Sequence, residues 1–287
     1  RDAGARDARG GGPMSATGRP RAAVRPPGAG TALTHTAVLT ARQLRAVVRV
    51  PAFLVMNLVQ PMIWLLLFGQ LFRSVVEIPG FAAGSSYLEF LTPGVVMMMA
   101  LFGSAWAGTS YIQDMERGVM DRLLTSPTHR GALMVSSLVH QAVLTVVQTL
   151  VVLAVAWWCG ARFGGGILGV LVLLLGAVLL TATFSALSNV AALVGRDQTV
   201  LIGISQLLTI PLMFLSSALM DTRLAAPWVR DVAAFNPFEW AVVVGRGALA
   251  PDPDWGEVGA HVGYLAAVAV VMAWAATRAF RAYQRST

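Results

Sequence analysis

The sequence predicts an all-α polytopic membrane protein with six transmembrane helices, a polar cytosolic helix and an outer re-entrant helical region. Three observations lead there. Of 287 residues, 56% are hydrophobic and only 12% charged, where a soluble domain carries about 45–50% and about 25%. The apolar residues fall in six runs, each able to cross a hydrocarbon core of about 30 Å at about 1.5 Å per residue. The sparse charge is also uneven, with Asp114, Glu116, Arg117, Asp121, Arg122 and Arg130 crowded into residues 111–131.

Residues 1–33, rich in Gly, Pro, Ala and Arg without apolar periodicity, read as a disordered cytosolic tail. Over 34–50, Val38, Leu39, Leu44, Val47 and Val48 oppose Arg42, Arg45 and Arg49. That pattern predicts a basic amphipathic helix on the inner membrane surface, or a solvated lead-in to the first span. A six-span domain follows over 51–280, with spans at 52–72, 87–110, 132–158, 166–194, 199–219 and 259–280, and a short cytosolic tail over 281–287. Pro61, Pro93 and Pro211 fall inside spans and predict kinks.

All 21 basic residues are arginine. With both termini in the cytosol, the outer segments hold only Arg73, Arg162, Arg223, Arg230 and Arg246, which satisfies the positive-inside rule and puts residues 111–131 in the cytosol. The segment 220–258 then lies outside. Its half from Phe235 to Leu249 is apolar but too short and too charged to cross, so it reads as re-entrant or interfacial, with Trp228, Trp240 and Trp255 at headgroup depth.

Several function classes drop out. A P-loop needs a lysine on the phosphates and this chain has none, so any ATP that drives it is bound by another polypeptide. One cysteine, Cys159, makes neither a disulfide nor a metal site. The high pI of about 10.9 comes from arginines flanking apolar spans, a lipid-headgroup pattern and not a nucleic-acid one. Carboxylates sit at span ends or in loops, which argues against ion coupling. Ser104 and His140 lack the context of a hydrolytic dyad. The polar side chains within spans are neutral: Asn57 and Gln60 in the first, Gln141, Thr145 and Gln148 in the third, Ser185, Ser188 and Asn189 in the fourth, Gln206 and Thr209 in the fifth. They serve as interhelical hydrogen bonds or, at Asn57, Gln60, Gln141, Gln148 and Gln206, as contacts along a translocation path.

Phe90-Leu-Thr-Pro-Gly94, then Asp114-x-Glu-Arg-Gly118, Asp121-Arg122-Leu-Leu-Thr-Ser-Pro127 and Arg130, resemble the permease subunits of ABC-2 type exporters, above all the daunorubicin-resistance (DrrB-type) branch. Pro211-Leu-Met-Phe-Leu-Ser-Ser-Ala218, Pro227-Trp228 and Asn236-Pro237 through Arg246 fit the same family. The run Arg122–Pro127 is closer to the general ABC-2 pattern than to DrrB-type members, and Asp221 stands where those members often have proline.

The resemblance implies a type V exporter-like fold and a homodimer of permeases paired with two ATPase subunits that bind ATP and Mg. It implies a coupling surface of Asp114, Glu116, Arg117, Gly118, Asp121 and Arg122, and an outer re-entrant region built on Asn236, Pro237, Glu239 and Arg246. The expected function is ATP-driven export of a hydrophobic or amphiphilic compound, drug-like or lipid, across a bacterial cytoplasmic membrane, with drug efflux and antibiotic resistance as its setting. Alternatives are a permease for polysaccharide or lipid-linked glycan, and a non-transporting membrane scaffold or sensor.

Overall fold

A computed structural model describes residues 51–72, 86–116, 130–195, 197–219 and 226–286. The predicted tail and amphipathic helix over 1–50 lie outside the described residues. The described chain is helical throughout. Helix α1 runs Pro51–Ile63, passes through a π-helical turn at Trp64–Phe68 and ends with Gly69–Leu71. Then come α2 (Tyr87–Ala105), α3 (Thr109–Glu116), α4 (Arg130–Trp158), α5 (Gly166–Gly195), α6 (Gln198–Phe214), α7 (Pro227–Ala233), α8 (Pro237–Leu249) and α9 (Trp255–Ser286).

Local chemistry sets the starts. The Ser86 hydroxyl accepts the Glu89 N–H at 3.3 Å and caps α2, and the Asp197 carboxylate accepts the Val200 N–H at 2.9 Å and caps α6. Proline stands at the first helical position of α7 and α8, where its missing N–H costs nothing. The α4–α5 connection turns through Gly160 and Gly166, both at positive φ. The π-helical turn of α1 lies just past Pro61, whose ring removes one regular helical hydrogen bond.

Four described stretches are long and apolar enough to cross a bilayer: Tyr87–Ala105, Val135–Trp158, Gly166–Gly195 and Trp255–Ala279. Two shorter apolar helices, Val55–Leu71 and Gln198–Phe214, accompany them. The chain is therefore a multi-pass membrane protein. Its centre is α2, whose most apolar window is 78% buried against 17% for α9. Around α2 pack Leu65 of α1, Val152 and Ala156 of α4, Leu173 and Leu180 of α5, Met213 of α6, and Phe238 and Val242 of α8. A second cluster joins Ile112 of α3 to Ala186 and Ala192 of α5, Leu201 of α6 and Ala276 of α9.

Three boundaries differ from those the sequence predicts. The second span stops at Ala105, not at 110, and a turn at 106–108 intervenes before α3. The helix predicted as the fifth span stops at Phe214, with residues 215–219 bending away where helix was expected to 219. The helix of the sixth predicted span, α9, runs past both predicted ends, from Trp255 to Ser286. Tertiary hydrogen bonds explain the first two.

Candidate functional site

The charged and polar residues gather at the two ends of α2. At its Tyr87 end, the segment after α6 is gripped from two sides. Asn236, which caps α8 by accepting the Phe238 N–H at 2.9 Å, donates its side-chain amide to the carbonyls of Leu212 at 2.7 Å and Leu215 at 2.8 Å. Leu212 is in the last turn of α6, where carbonyls lack intrahelical partners, and Leu215 caps its end. Glu239, buried on the first turn of α8, accepts the Ser217 N–H at 2.6 Å. Arg246 donates to the Ser217 carbonyl at 2.9 Å and to its hydroxyl at 3.1 Å. Glu239 and Arg246 are seven residues apart, so they share one face of α8.

From the other side, the Tyr87 hydroxyl donates to the Leu219 carbonyl at 3.1 Å. A Cβ on Gly94 would collide with the Ala218 carbonyl oxygen, so only glycine permits this approach. The Phe90 ring lies 3.8 Å from the Arg246 guanidinium carbon, in cation–π geometry. Arg162, just beyond α4, donates its backbone N–H to Glu89 at 2.8 Å. Every bond to 212–219 from Glu239 or Arg246 has a charged partner, the stronger kind of hydrogen bond.

At the Ala105 end the holding groups are neutral. The hydroxyls of Ser188 on α5 and Ser205 on α6 both donate to the Ala105 carbonyl, at 2.6 and 2.9 Å. Ser188 also accepts the Gly108 N–H at 3.0 Å. A Cβ on Gly108 would strike the Ser188 backbone and the Ala192 side chain. These contacts break α2 at Ala105 and launch α3 in a fixed direction. Ile112 of α3 is buried, while Glu116 at its end is exposed.

Of the predicted coupling residues, Asp114 and Glu116 lie on α3. Arg117, Gly118, Asp121 and Arg122 lie outside the described residues. The four residues predicted for the outer region, Asn236, Pro237, Glu239 and Arg246, are brought together at the start and along one face of α8, as set out above. That helix sits in the core, with Phe238, Ala241 and Val242 fully buried, while Trp228 and Trp255 nearby stand exposed.

The five predicted path residues are spread out. Asn57 and Gln60 are exposed on α1, Gln206 is exposed on α6, and Gln148 is half-buried on α4. Gln141 donates to the Gly103 carbonyl at 3.1 Å, and its neighbour Thr145 pairs with Thr181 at 2.9 Å, both tying α4 to other helices. Ser104 donates to the Leu101 carbonyl within its own helix at 2.9 Å. A groove of about 790 Å³ lies between α1 and α4, lined by Leu58, Met62, Leu66, Val151 and Val155 among others, with Gln70 its polar member.

Sequence reading quoted Ser217 only as part of the Pro211–Ala218 motif, with no role, and did not single out Ser205 or Tyr87. The signal for Ser217 was present: two charges seven apart on an apolar helix demand a polar partner, and Ser216-Ser217 was available. Ser205 carried no signal, because a serine in a span is equally at home bonding its own helix.

The sequence profile described as ABC-2 type transporter matches residues 34–249. A Porphyra purpurea protein with a transport-permease name, ycf38, is 28% identical over 221 residues, covering 76% of this chain and 74% of that one. The daunorubicin resistance ABC transporter permease protein DrrB1 of Streptomyces coeruleorubidus is 26% identical over 255 residues, 89% of each chain. A Mycobacterium tuberculosis protein named for doxorubicin resistance, DrrC, is 26% identical over 168 residues, 58% of this chain and 60% of that one.

Proposed function

This chain belongs to the ABC-2 type transporter family, and from that premise we propose that it is the membrane subunit of an ATP-driven exporter of a hydrophobic or amphiphilic compound. In this reading two copies of the chain pair with two ATPase subunits in a bacterial cytoplasmic membrane, both termini in the cytosol. ATP and Mg are held by the ATPase, since a chain without lysine has no P-loop of its own. The Ala105 end then faces the cytosol and the Tyr87 end faces out. Ile112 of α3 and Ala276 of α9 share one buried cluster, which supports this: the C-terminal end of α9, with its arginines, then lies at the same end of the bundle as α3.

The observation that carries the reading is the turn at 106–108. A polar helix with exposed Glu116 is joined to α2 through a carbonyl shared by α5 and α6. Force applied to Glu116, and to Arg117 beyond it, therefore reaches three membrane helices at one point. Coupling requires that the ATPase bind two arrangements of the permease with different affinity, and a rigidly mounted α3 lets it tell them apart. The apolar groove between α1 and α4, with one amide among aliphatic and thioether side chains, suits an amphiphile better than a sugar chain. The names of the daunorubicin and doxorubicin resistance relatives agree with a drug-like or lipid cargo.

The test is co-expression with an ABC ATPase subunit, affinity purification, and uptake of a fluorescent lipophilic cation into inverted vesicles. The reading expects a complex with two copies of each subunit and ATP-dependent uptake. A permease that purifies alone, or vesicles that do not respond to ATP, would overturn it.

A further inference from the structure

A chain of rings runs from α1 to Arg246. Trp64 stacks on Phe68 with centroids 4.6 Å apart, and Phe68 on Phe72 at 5.5 Å. Phe72 meets Tyr87 at 5.6 Å, and Tyr87 meets Phe90 at 6.0 Å. Phe90 carries the Arg246 guanidinium on its face at 3.8 Å. Two of the rings, Trp64 and Phe68, bound the π-helical turn of α1, where the regular helical ladder is already interrupted, and Phe72 stands just past the end of the helix.

Helix α1 is otherwise loosely held. Most of its described side chains are exposed, and only Pro61 and Leu65 are buried. The far end of the column is the opposite. Tyr87 and Phe90 are about nine-tenths or more buried, and Arg246 clamps both the carbonyl and the hydroxyl of Ser217. A loosely packed helix is thus tied by ring-to-ring contact to the arginine that fixes 212–219.

We propose that this aromatic column makes Arg246 a positioning residue for the end of α6: displacement of α1 shifts Phe90, loosens the Arg246 grip on Ser217 and frees the segment 216–219. The proposal deepens the export reading, since in that reading the segment lies at the end of the bundle that faces out. Its chemistry needs neither ATP nor substrate. The rings pass a displacement on because each centroid lies 4.6–6.0 Å from the next, within the range of paired aromatic side chains. A guanidinium reads the last ring because it prefers the centre of its face.

The experiment uses the full chain in nanodiscs. Cys159 is first replaced by serine, and Ser216→Cys, a buried position, then reports opening through its rate of labelling by a water-soluble maleimide. Arg246→Gln should speed labelling by roughly tenfold, and Phe68→Ala, separated from Arg246 by three rings, should speed it several-fold. Phe68→Trp keeps an aromatic ring in the column and should label at the parent rate. If Phe68→Ala leaves the rate unchanged while Arg246→Gln raises it, Arg246 is a local brace and the column carries nothing. If Arg246→Gln itself has no effect, the grip on Ser217 is not what holds the segment. Should Arg246→Gln fail to fold, Phe90→Leu tests the same link: faster labelling supports the column, and an unchanged rate overturns it. No ATPase enters the assay, so failure here leaves the export reading standing, and failure of that reading leaves this result intact.

Discussion

The two ends of α2 solve the same problem with different chemistry. At the Tyr87 end, a pair of charged residues on α8 and a buried aromatic pair on α2 fix the chain after α6, with Glu239 and Arg246 holding the N–H, hydroxyl and carbonyl of Ser217. At the Ala105 end, two serine hydroxyls and a glycine contact fix the start of α3. Between them α2 is the best-buried of the spans. The contrast teaches where each end is brittle. Buried charges depend on their partners, so losing one leaves an uncompensated group in an apolar place. Neutral hydroxyl bonds can be lost singly at small cost, because serine can bond its own helix instead.

The sharpest way to break the comparison is at the charged end. Arg246→Ala or Glu239→Ala should destabilise the purified protein by about 3–5 kcal/mol, read as a large drop in melting temperature in detergent. Glu239→Gln keeps a hydrogen-bond acceptor for the Ser217 N–H and should cost clearly less. Next come the close approaches, one at each end. Gly94→Ala and Gly108→Ala each push a methyl against backbone, Ala218 in one case and Ser188 in the other, and should cost about 1–3 kcal/mol. Similar losses at both would show that tight backbone contact is common to the two ends and that charge alone separates them. The smallest effects belong to the hydroxyls. Ser188→Ala and Ser205→Ala should each cost about 0.6 kcal/mol, with the double variant costing more than the sum because the Ala105 carbonyl then loses both donors.

Much of this architecture was legible in the sequence. The fourth span was predicted at 166–194 and observed as Gly166–Gly195. It is an uninterrupted apolar run, with glycines before it and Arg196-Asp197 after it. The motifs Phe90–Gly94, Pro211–Ala218 and Asn236–Arg246 were quoted as separate patches, and in the structure they form one cluster.

What was not legible depends on contacts between distant residues. Trp106-Ala107-Gly108 is apolar enough to continue a span, and it turns because Ser188 and Ser205, about 80 and 100 positions on, take the Ala105 carbonyl. The end of α6 is similar: Leu215–Leu219 is composed like a span but is drawn away by Asn236, Glu239 and Arg246. The proposed path residues illustrate the limit. Asn57, Gln60, Gln141, Gln148 and Gln206 were grouped by polarity, and polarity does not say which face of the bundle a helix presents. Their role in transport stays a proposal, to be tested by alanine substitution and vesicle uptake.

In the proposed function, the polar segment beginning at α3 receives force from an ATPase. This coupling is tested most directly by replacing Glu116 and Arg117 with alanine in the purified complex and measuring ATP hydrolysis beside melting temperature. Because Glu116 is exposed, melting should be unchanged while stimulation of hydrolysis by the permease falls about fivefold or more. Stimulation that survives intact, with the complex still assembled, would contradict the account.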